Sequence, residues 1–255
     1  MTTPDTRFNQ SVAKAFEVLE AFGERPGVLS LAEVMELSGL DKNSTQRMLH
    51  TLVALGYVER GPGQRGYALG KKILSRTFDY LRGSPLLERA TPVLIDLQQE
   101  CGERVDLSLF DDLDIVYALR KQSKRQTFFA TLVGRRMPVF CSSAGRAIMA
   151  QLPDEQVDDI LARSSLKPLT RYTVTDPAKI REMVAKAKVD GFSLAQQECL
   201  VGEVVLASAV VDQTGVPIAA VHIAGLLSEW TPEVFVQRFS SLAITAARAL
   251  SGKRN

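Results

Sequence analysis

The sequence predicts an α+β protein with two folded parts, a small N-terminal winged helix-turn-helix and a larger C-terminal domain. In residues 29–69, two short amphipathic helices flank a turn and a hairpin pattern follows them. Gly83-Ser84-Pro85 then interrupts the chain as a hinge. After Gly102 the apolar period changes from that of helices to that of strands. The expected parts are 1–70 for the winged domain, 71–85 for a linker helix and hinge, and 86–255 for the larger domain.

Three helices are expected in the first part. The first runs from Asn9 to Phe22, and the second begins at Ser30, which forms a capping-box pattern with Glu33. Asp41 can cap the third helix, which is expected to end at about Leu55. The apolar stripe expected on the first helix consists of Val12, Ala15, Phe16, Leu19 and Phe22.

The third helix has a polar face suited to DNA. At about 100° per residue, its apolar residues fall on one side: Thr45, Met48, Leu49, Leu52 and Leu55. The other side carries amide and guanidinium groups, which read base edges or bind phosphates. The segment from Tyr57 to Leu69, with its Gly/Pro tip, is typical of a wing. We therefore expect DNA contacts from Lys42, Asn43, Ser44, Gln46, Arg47 and His50 on the helix and from Arg65 on the wing.

Positive charge is concentrated in the same region. The whole chain has 31 basic and 29 acidic residues, so it has no general basic character. Between residues 42 and 76, seven basic residues accompany one acidic residue, Glu59. The basic residues are Lys42, Arg47, Arg60, Arg65, Lys71, Lys72 and Arg76. A solvated surface is the plain alternative, but the order helix, turn, helix, wing favours phosphate contacts.

The larger domain is expected to combine helices with antiparallel strands. The expected helices are Leu86–Glu100, Ser142–Met149, Asp154–Ala162, Pro177–Val189 and Thr231–Leu250. Paired strands are expected at Val105–Leu109 with Ile115–Leu119 and at Val204–Val211 with Ile218–Ala224, and a further strand at Phe128–Val133. Such a mixture of strands and flanking helices is typical of a ligand-binding domain.

Cysteine, histidine and hydropathy patterns exclude several classes of protein. Three cysteines at wide spacing, Cys101, Cys141 and Cys199, do not form a disulfide framework. The two histidines, His50 and His222, have no metal-site spacing with them. No run approaches 18 apolar residues. We expect a cytoplasmic protein without cofactor, metal or membrane partner, and no catalytic residue, since Cys141 has no base beside it.

Six motifs in order carry a resemblance to a known family. They are Gly39–Leu49, Gly66–Gly70, Val133–Pro138, Ser142–Ala147, Tyr172–Pro177, and Asp190-Gly191-Phe192 with Glu198 and Gly202. With these motifs at fitting spacing over nearly its full length, the chain resembles the IclR family of bacterial transcriptional regulators. The resemblance implies a linker helix that joins the winged domain to a GAF-like effector-binding domain. It also implies dimers, often tetramers, on double-stranded operator DNA.

The resemblance also implies where a small-molecule effector binds. The site would lie at Ser142 to Gly145 and against strands that hold Gly202–Val205 and Val221–Gly225. The residues support this place, because free N–H groups at a helix start favour a carboxylate or carbonyl oxygen. Small residues beside His222 suit a cavity wall. The expected effector residues are Phe129, Ser142, Ser143, Ala144, Glu203, Val205, His222 and Ala224.

Glu203 leaves the chemistry of the effector open. An ionised Glu203 would oppose a bound carboxylate unless a protonated His222 lay between them. A small aromatic or other organic acid and a related amide are both compatible with the expected wall. Departures from the family pattern include Phe140 and Cys141 before the serines, Arg146 in place of the usual lysine, Val205 in place of a common cysteine and Ala209 in place of a frequent proline.

Three functional classes follow from these patterns. An effector-responsive regulator, more often a repressor, of a catabolic operon is favoured. A ligand-independent DNA-binding protein is disfavoured, because about 170 electrically balanced residues exceed what DNA anchoring needs. An enzyme fused to a helix-turn-helix is disfavoured because the sequence has no acid/base pair, metal set or phosphate loop.

Overall fold

Contacts divide the chain into two units, Met1–Tyr80 and Leu81–Asn255. The computed structural model describes residues 7–123 and 133–252. The division falls between Tyr80 and Leu81, inside a helix, whereas the sequence placed boundaries at 70/71 and 85/86. In the part of the chain that is described, no helix has the length and apolar character needed to cross a membrane.

The N-terminal unit is a three-helix domain with a two-stranded wing, and the predicted α+β fold with an N-terminal helix-turn-helix is confirmed. Its elements are α1 (Gln10–Glu24), α2 (Leu31–Ser38), α3 (Lys42–Leu55), β1 (Val58–Arg60), β2 (Tyr67–Leu69) and α4 (Lys72–Arg82), of which α4 continues past Tyr80. Ser30 and Glu33 form the capping box, and the Asp41 carboxylate accepts from the Ser44 N–H. Gly39 ends α2 in the left-handed region, at φ +69°, where glycine avoids a Cβ clash.

The core of the N-terminal unit buries only part of the apolar stripe that was expected on α1. It contains Val18, Ala21, Phe22, Leu29, Val34, Leu49, Leu52, Val58 and Tyr67. Of the expected stripe on α1, Phe22 is buried, but Val12 is 52% and Phe16 59% exposed. The buried residues of α1 lie in its C-terminal half, so the apolar residues of the first turns extend beyond the packed region. Leu55, at the end of α3, is also exposed.

The C-terminal unit is built on one six-stranded antiparallel sheet of order β5-β4-β3-β8-β7-β6. Its strands are β3 (Arg104–Asp111), β4 (Asp114–Lys121), β5 (Arg136–Pro138), β6 (Ser193–Gln196), β7 (Glu203–Val211) and β8 (Pro217–Leu226), and its helices are α5 (Pro85–Cys101), α6 (Ser143–Met149), α7 (Asp154–Arg163), α8 (Pro177–Asp190) and α9 (Pro232–Leu250). Both predicted hairpins form. The short strands β5 and β6 escaped prediction because three or four residues show no clear period.

The expected strand Phe128–Val133 falls almost entirely outside the described residues. Residues 128–132 of the expected strand Phe128–Val133 lie outside the described residues, and Val133 is in a turn.

Strand alternation separates the two faces of the sheet. Val105, Leu107, Val221 and Ile223 belong to an apolar core that includes α5 and α9. Ala207 and Ala220, on the other face, pack with α6, α7 and α8. At one end of this second face the apolar residues give way to Arg104, Asp106, Ser108, Glu203 and His222, all of them buried. Buried charged side chains need hydrogen-bonding or ion-pair partners. These residues belong to the site described below.

Gly145 allows α6 to approach the preceding segment closely. A Cβ at this position would collide with the backbone of Val139. Every residue of α6 is buried, so the helix has little freedom to move away. The Ser142 side chain caps α6 by accepting from the Gly145 N–H at 3.1 Å. The start of α6, which carries the expected effector residues, is therefore held against residues 139–141.

Gly145→Ala is expected to lower the free energy of unfolding by about 3 kcal/mol, because backbone atoms cannot give way as a flexible side chain can. Gly23→Ala is the matched control: it lies in α1 with nothing within 4 Å of an added Cβ. It should change stability by less than about 1 kcal/mol. Urea unfolding followed by circular dichroism measures both. Equal stability of Gly145→Ala and wild type would contradict the close approach.

Candidate functional site

The polar side of α3 is open to solvent. Lys42, Asn43, Gln46, Arg47 and His50 are exposed, while the opposite side, with Thr45, Leu49 and Leu52, is buried in the core. Ser44 is half-buried, and its hydroxyl donates to the Asp41 carboxylate at 2.6 Å. Its oxygen can still accept a hydrogen bond. The helix thus presents amide and cationic groups on a rigid element.

A groove of about 460 Å³ lies between α3 and the wing. Gln46, Arg47, His50, Thr51, Arg60 and Tyr67 line it. The Arg60 guanidinium lies 4.3 Å from the centre of the Tyr67 ring, a cation–π contact that orients it. Arg60 belongs to the basic region 42–76 but was not among the residues expected to contact DNA. Arg65 is exposed at the end of the wing tip.

A second site is a small cavity in the C-terminal unit, between the start of α6, the connection from β6 to β7, and the sheet. Its volume is about 30 Å³, room for one or two water molecules. It is lined by Tyr117, Ser142, Ser143, Ala195, Gln197, Glu198, Cys199, Leu200, Glu203, Val205 and His222. We refer to it as the cavity.

The structure brings together five of the eight expected effector residues. Ser142, Ser143, Glu203, Val205 and His222 line the cavity. Ala144 is buried in the apolar cluster of α6 instead. Ala224 is buried between its cross-strand neighbours Val205 and Arg104, whose longer side chains flank its methyl group. Phe129 lies outside the described residues. Six lining residues were not among those expected: Tyr117, Ala195, Gln197, Glu198, Cys199 and Leu200. Tyr117 comes from β4, remote in the chain, whereas the other five lie within eight residues of Glu203.

His222 is neutral at the cavity wall, contrary to the protonated form considered from the sequence. Burial lowers its pKa to about 4; nearby Asp106 opposes the shift, and Arg104 and Arg120 add to it. A ring nitrogen, Nε2, lies 2.7 Å from the Ser108 hydroxyl oxygen. The Tyr117 ring lies beside the imidazole, with centroids 5.5 Å apart. Burial also raises the pKa of Tyr117, so its phenol stays protonated.

Glu203 has a partner that its sequence position does not suggest. Arg104 donates to its carboxylate at 2.6 Å and also contacts Asp106 at 3.2 Å. Arg120 donates to Asp106 at 2.6 Å and 3.0 Å. Two cations and two carboxylates therefore form one buried network behind the cavity. Glu203 is therefore an ion-paired residue at the cavity wall.

Arg146 and Glu198 form a second buried ion pair at the cavity. Two guanidinium nitrogens of Arg146 donate to the two Glu198 oxygens, each at 2.6 Å. The Arg146 Nε also donates to the Phe140 carbonyl, and Glu198 accepts from the Val174 N–H. Arg146 is fully buried, and Glu198 lines the cavity. The fork geometry of arginine suits this two-pronged pairing.

The three cysteines differ in their surroundings. Contact with Cys199 and burial raise the pKa of Cys141, which keeps its sulfur protonated. The Cys199 thiol lies 3.5 Å from the Cys141 carbonyl oxygen and lines the cavity. All three cysteines are free, and Cys101 and Cys141 are buried.

Two family models together match most of the chain. The model described as IclR helix-turn-helix domain matches residues 11–62. The model described as Bacterial transcriptional regulator IclR C-terminal matches residues 78–252. The two matches fall on the two units, and the second covers more than half of the chain.

Named relatives are similar over nearly their full length. The chain is 30% identical to the transcriptional repressor IclR of Escherichia coli over 98% of this chain and 92% of that protein. It is 29% identical to the Pca regulon regulatory protein of Pseudomonas putida over 97% of this chain and 85% of the relative. A crystal structure of an IclR homolog from Microbacterium hydrocarbonoxydans complexed with 4-hydroxybenzoate has the same fold, with TM-score 0.75, 24% identity and coverage of 94% of this chain and 99% of that one.

Acidification should reveal the neutral state of His222. Between pH 6.5, its ordinary pKa, and about 4, the unfolded chain binds a proton that the folded chain does not. The free energy of unfolding should therefore fall as the pH drops through this window, by up to about 3 kcal/mol. His222→Gln keeps a hydrogen-bonding side chain without this titration. Urea unfolding at several pH values should show wild type losing its advantage over the variant, and parallel curves would contradict the assignment.

Breaking the two kinds of ion pair should have unequal costs. Glu198→Ala leaves the Arg146 charge buried without its carboxylate and should cost about 3–5 kcal/mol of stability. Asp158→Ala removes the partner of Arg181 in an exposed pair, 54% and 49% accessible, and should cost less than about 1 kcal/mol. Chemical unfolding measures both variants. Similar losses would show that the buried pair does not hold the cavity wall.

Proposed function

The chain belongs to the IclR family of bacterial transcriptional regulators, and from this we propose that it is a repressor of a catabolic operon that releases its operator in response to a small effector. The observation that carries the proposal is the exposed polar face of α3 beside a basic wing. Amide and guanidinium groups on a rigid helix can enter a major groove while the wing contacts phosphates. Such a protein acts in the cytoplasm, where the chromosome lies.

The individual roles follow from chemistry and position. We assign base reading to Asn43 and Gln46, whose amides pair with adenine edges. Lys42, Ser44 and Arg47 would bind phosphates, as most protein–DNA hydrogen bonds do. His50 and Arg60 line the groove between helix and wing, where a DNA strand would run. Arg65 would contact the backbone from the wing tip.

A second copy of the chain is proposed to complete the DNA-binding form. Val12 and Phe16 lie four residues apart on α1 and are 52% and 59% exposed, and Phe8, just before the helix, is 60% exposed. On α4, Leu74 and Phe78 are 70% and 60% exposed. Apolar side chains at this spacing suit a helical interface. A dimer, or a tetramer made of two dimers, would bind a near-palindromic operator with half-sites about one helical turn apart.

The effector is proposed to be a small aromatic or other organic acid, or a related amide, bound at the cavity. Hydroxyl groups of Ser142 and Ser143, the imidazole of His222 and the Glu203 carboxylate converge there. An IclR homolog of the same fold binds 4-hydroxybenzoate, which supports the aromatic class. A ligand of that size needs part of the wall to move, because the cavity has room for only one or two water molecules.

The effector can act on DNA only by favouring one arrangement of subunits over another. We propose that α4, which ends at Arg82, carries this change together with residues 83–85, where α5 begins at Pro85. The repressor role is supported by the name of the Escherichia coli relative.

Two substitutions should separate base reading from phosphate binding. Arg65→Ala should weaken binding to all DNA sequences alike and lower the slope of log affinity against log salt by about one. Gln46→Ala should change which operators are preferred, with little change in that slope. The assay is fluorescence anisotropy at several salt concentrations, on an operator selected from random DNA by the wild-type protein.

Lys179→Ala, an exposed cation on α8, is the control and should behave as wild type. The double variant Gln46→Ala, Arg47→Ala decides the assignment of α3. If it still binds the selected operator with wild-type affinity, the recognition helix is wrongly assigned and the proposed function loses its main support.

A further inference from the structure

The ionised side chains that line the cavity are carboxylates. Among the described residues, its wall contains Glu198 and Glu203 but neither lysine nor arginine. His222 is neutral, since burial lowers its pKa to about 4. The remaining polar groups are the hydroxyls of Ser142, Ser143 and Tyr117, the Gln197 amide and the Cys199 thiol. The wall therefore offers hydrogen-bond donors and acceptors, and its charged side chains are ion-paired carboxylates.

In the described part of the chain, the guanidinium groups beside these carboxylates are already paired. Arg104 is paired with both Glu203 and Asp106, and its side chain is only 7% exposed. Arg120 is paired with Asp106. Arg146 holds both oxygens of Glu198. Among the described residues, a bound carboxylate could gain a guanidinium only by competing with a carboxylate that is already paired, which would leave that buried group without its partner. Otherwise it would depend on neutral donors such as the Ser142 and Ser143 hydroxyls.

Glu203 retains capacity to accept from a ligand. A carboxylate offers about four lone-pair positions, and the Arg104 contact uses one oxygen, Oε1. Hydrogen bonds to an ionised acceptor are the strong ones. A ligand N–H group placed at Glu203 gains such a bond, whereas a ligand carboxylate placed there gains none.

We infer that the effector bound at this cavity is a neutral hydrogen-bond donor of the carboxamide class and not a carboxylate. The inference rests on the proposed function, because it takes the cavity to be the effector site. The ion pairs of Glu203 and Glu198 favour the amide over the organic acid as the effector. The amide N–H groups donate to Glu203, and the amide carbonyl accepts from the serine hydroxyls at the start of α6.

Two matched pairs of probes test this: acetamide against acetate, and 4-hydroxybenzamide against 4-hydroxybenzoate. The members of each pair have nearly the same shape and differ in charge. Full-length protein is titrated by calorimetry at neutral pH. Occupancy of the cavity is read separately from protection of Cys199 against methyl methanethiosulfonate, followed by mass spectrometry. Cys199 lines the cavity while Cys101 and Cys141 are buried, so the label reports on this site.

The amide of at least one pair should bind about tenfold more tightly than its acid and should slow modification of Cys199. Glu203→Gln should reduce that preference, because the ionised acceptor is lost while the shape is kept. Glu233→Gln, an exposed residue in the first turn of α9, should leave it unchanged. The wild-type comparison stands even if Glu203→Gln fails to fold.

Two results would overturn the inference. One is an acid that binds as tightly as its amide or more tightly. The other is no protection of Cys199 by any of the four probes up to their solubility limits. Either result leaves the operator-binding measurements untouched, so failure of the ligand class is distinguishable from failure of the proposed regulator, which would show as loss of selective DNA binding.

Discussion

The cavity of the C-terminal unit depends on the buried ion pair between Arg146 and Glu198. Arg146 lies on α6 and Glu198 on the connection from β6 to β7, and the pair also engages the Phe140 carbonyl and the Val174 N–H. Four segments are therefore held at fixed distances by one guanidinium and one carboxylate. Because a buried charge without its partner is costly, these segments cannot separate without disrupting the pair. The pair therefore fixes the relative positions of the segments around the cavity, whatever its net contribution to the free energy of unfolding.

The two units use charge in opposite ways. On α3 and the wing, cations such as Arg47 and Arg65 stand in solvent, where keeping them ready for phosphate costs little. At the cavity, Arg104 and Glu203 are removed from water and are paired with one another inside the protein. An exposed cationic surface suits a polyanion of variable sequence. A closed, internally balanced site suits a small ligand that is chosen by its hydrogen bonds.

Much of the N-terminal unit was predictable because its determinants are local. The capping box of Ser30 and Glu33, the Asp41 cap and the helical period of α3 involve residues within a few positions of each other. The long hairpins of the sheet were predictable for the same reason. Local pattern was insufficient on α1, where several apolar residues compete for one packed face. Which of them is buried depends on where α2 and α3 lie against it.

The sequence alone determined the order of elements, the polar face of α3 and the presence of Ser142, Glu203 and His222 near one site, because period, caps and motif spacing are properties of neighbouring residues. Only the tertiary structure decided their chemical state. Glu203 is paired with Arg104 across 99 positions, and His222 meets Ser108 across 114. Such contacts arise when β3 lies beside β8, and β8 beside β7. Burial and pairing, which set charge and protonation, are properties of that arrangement and of no short segment.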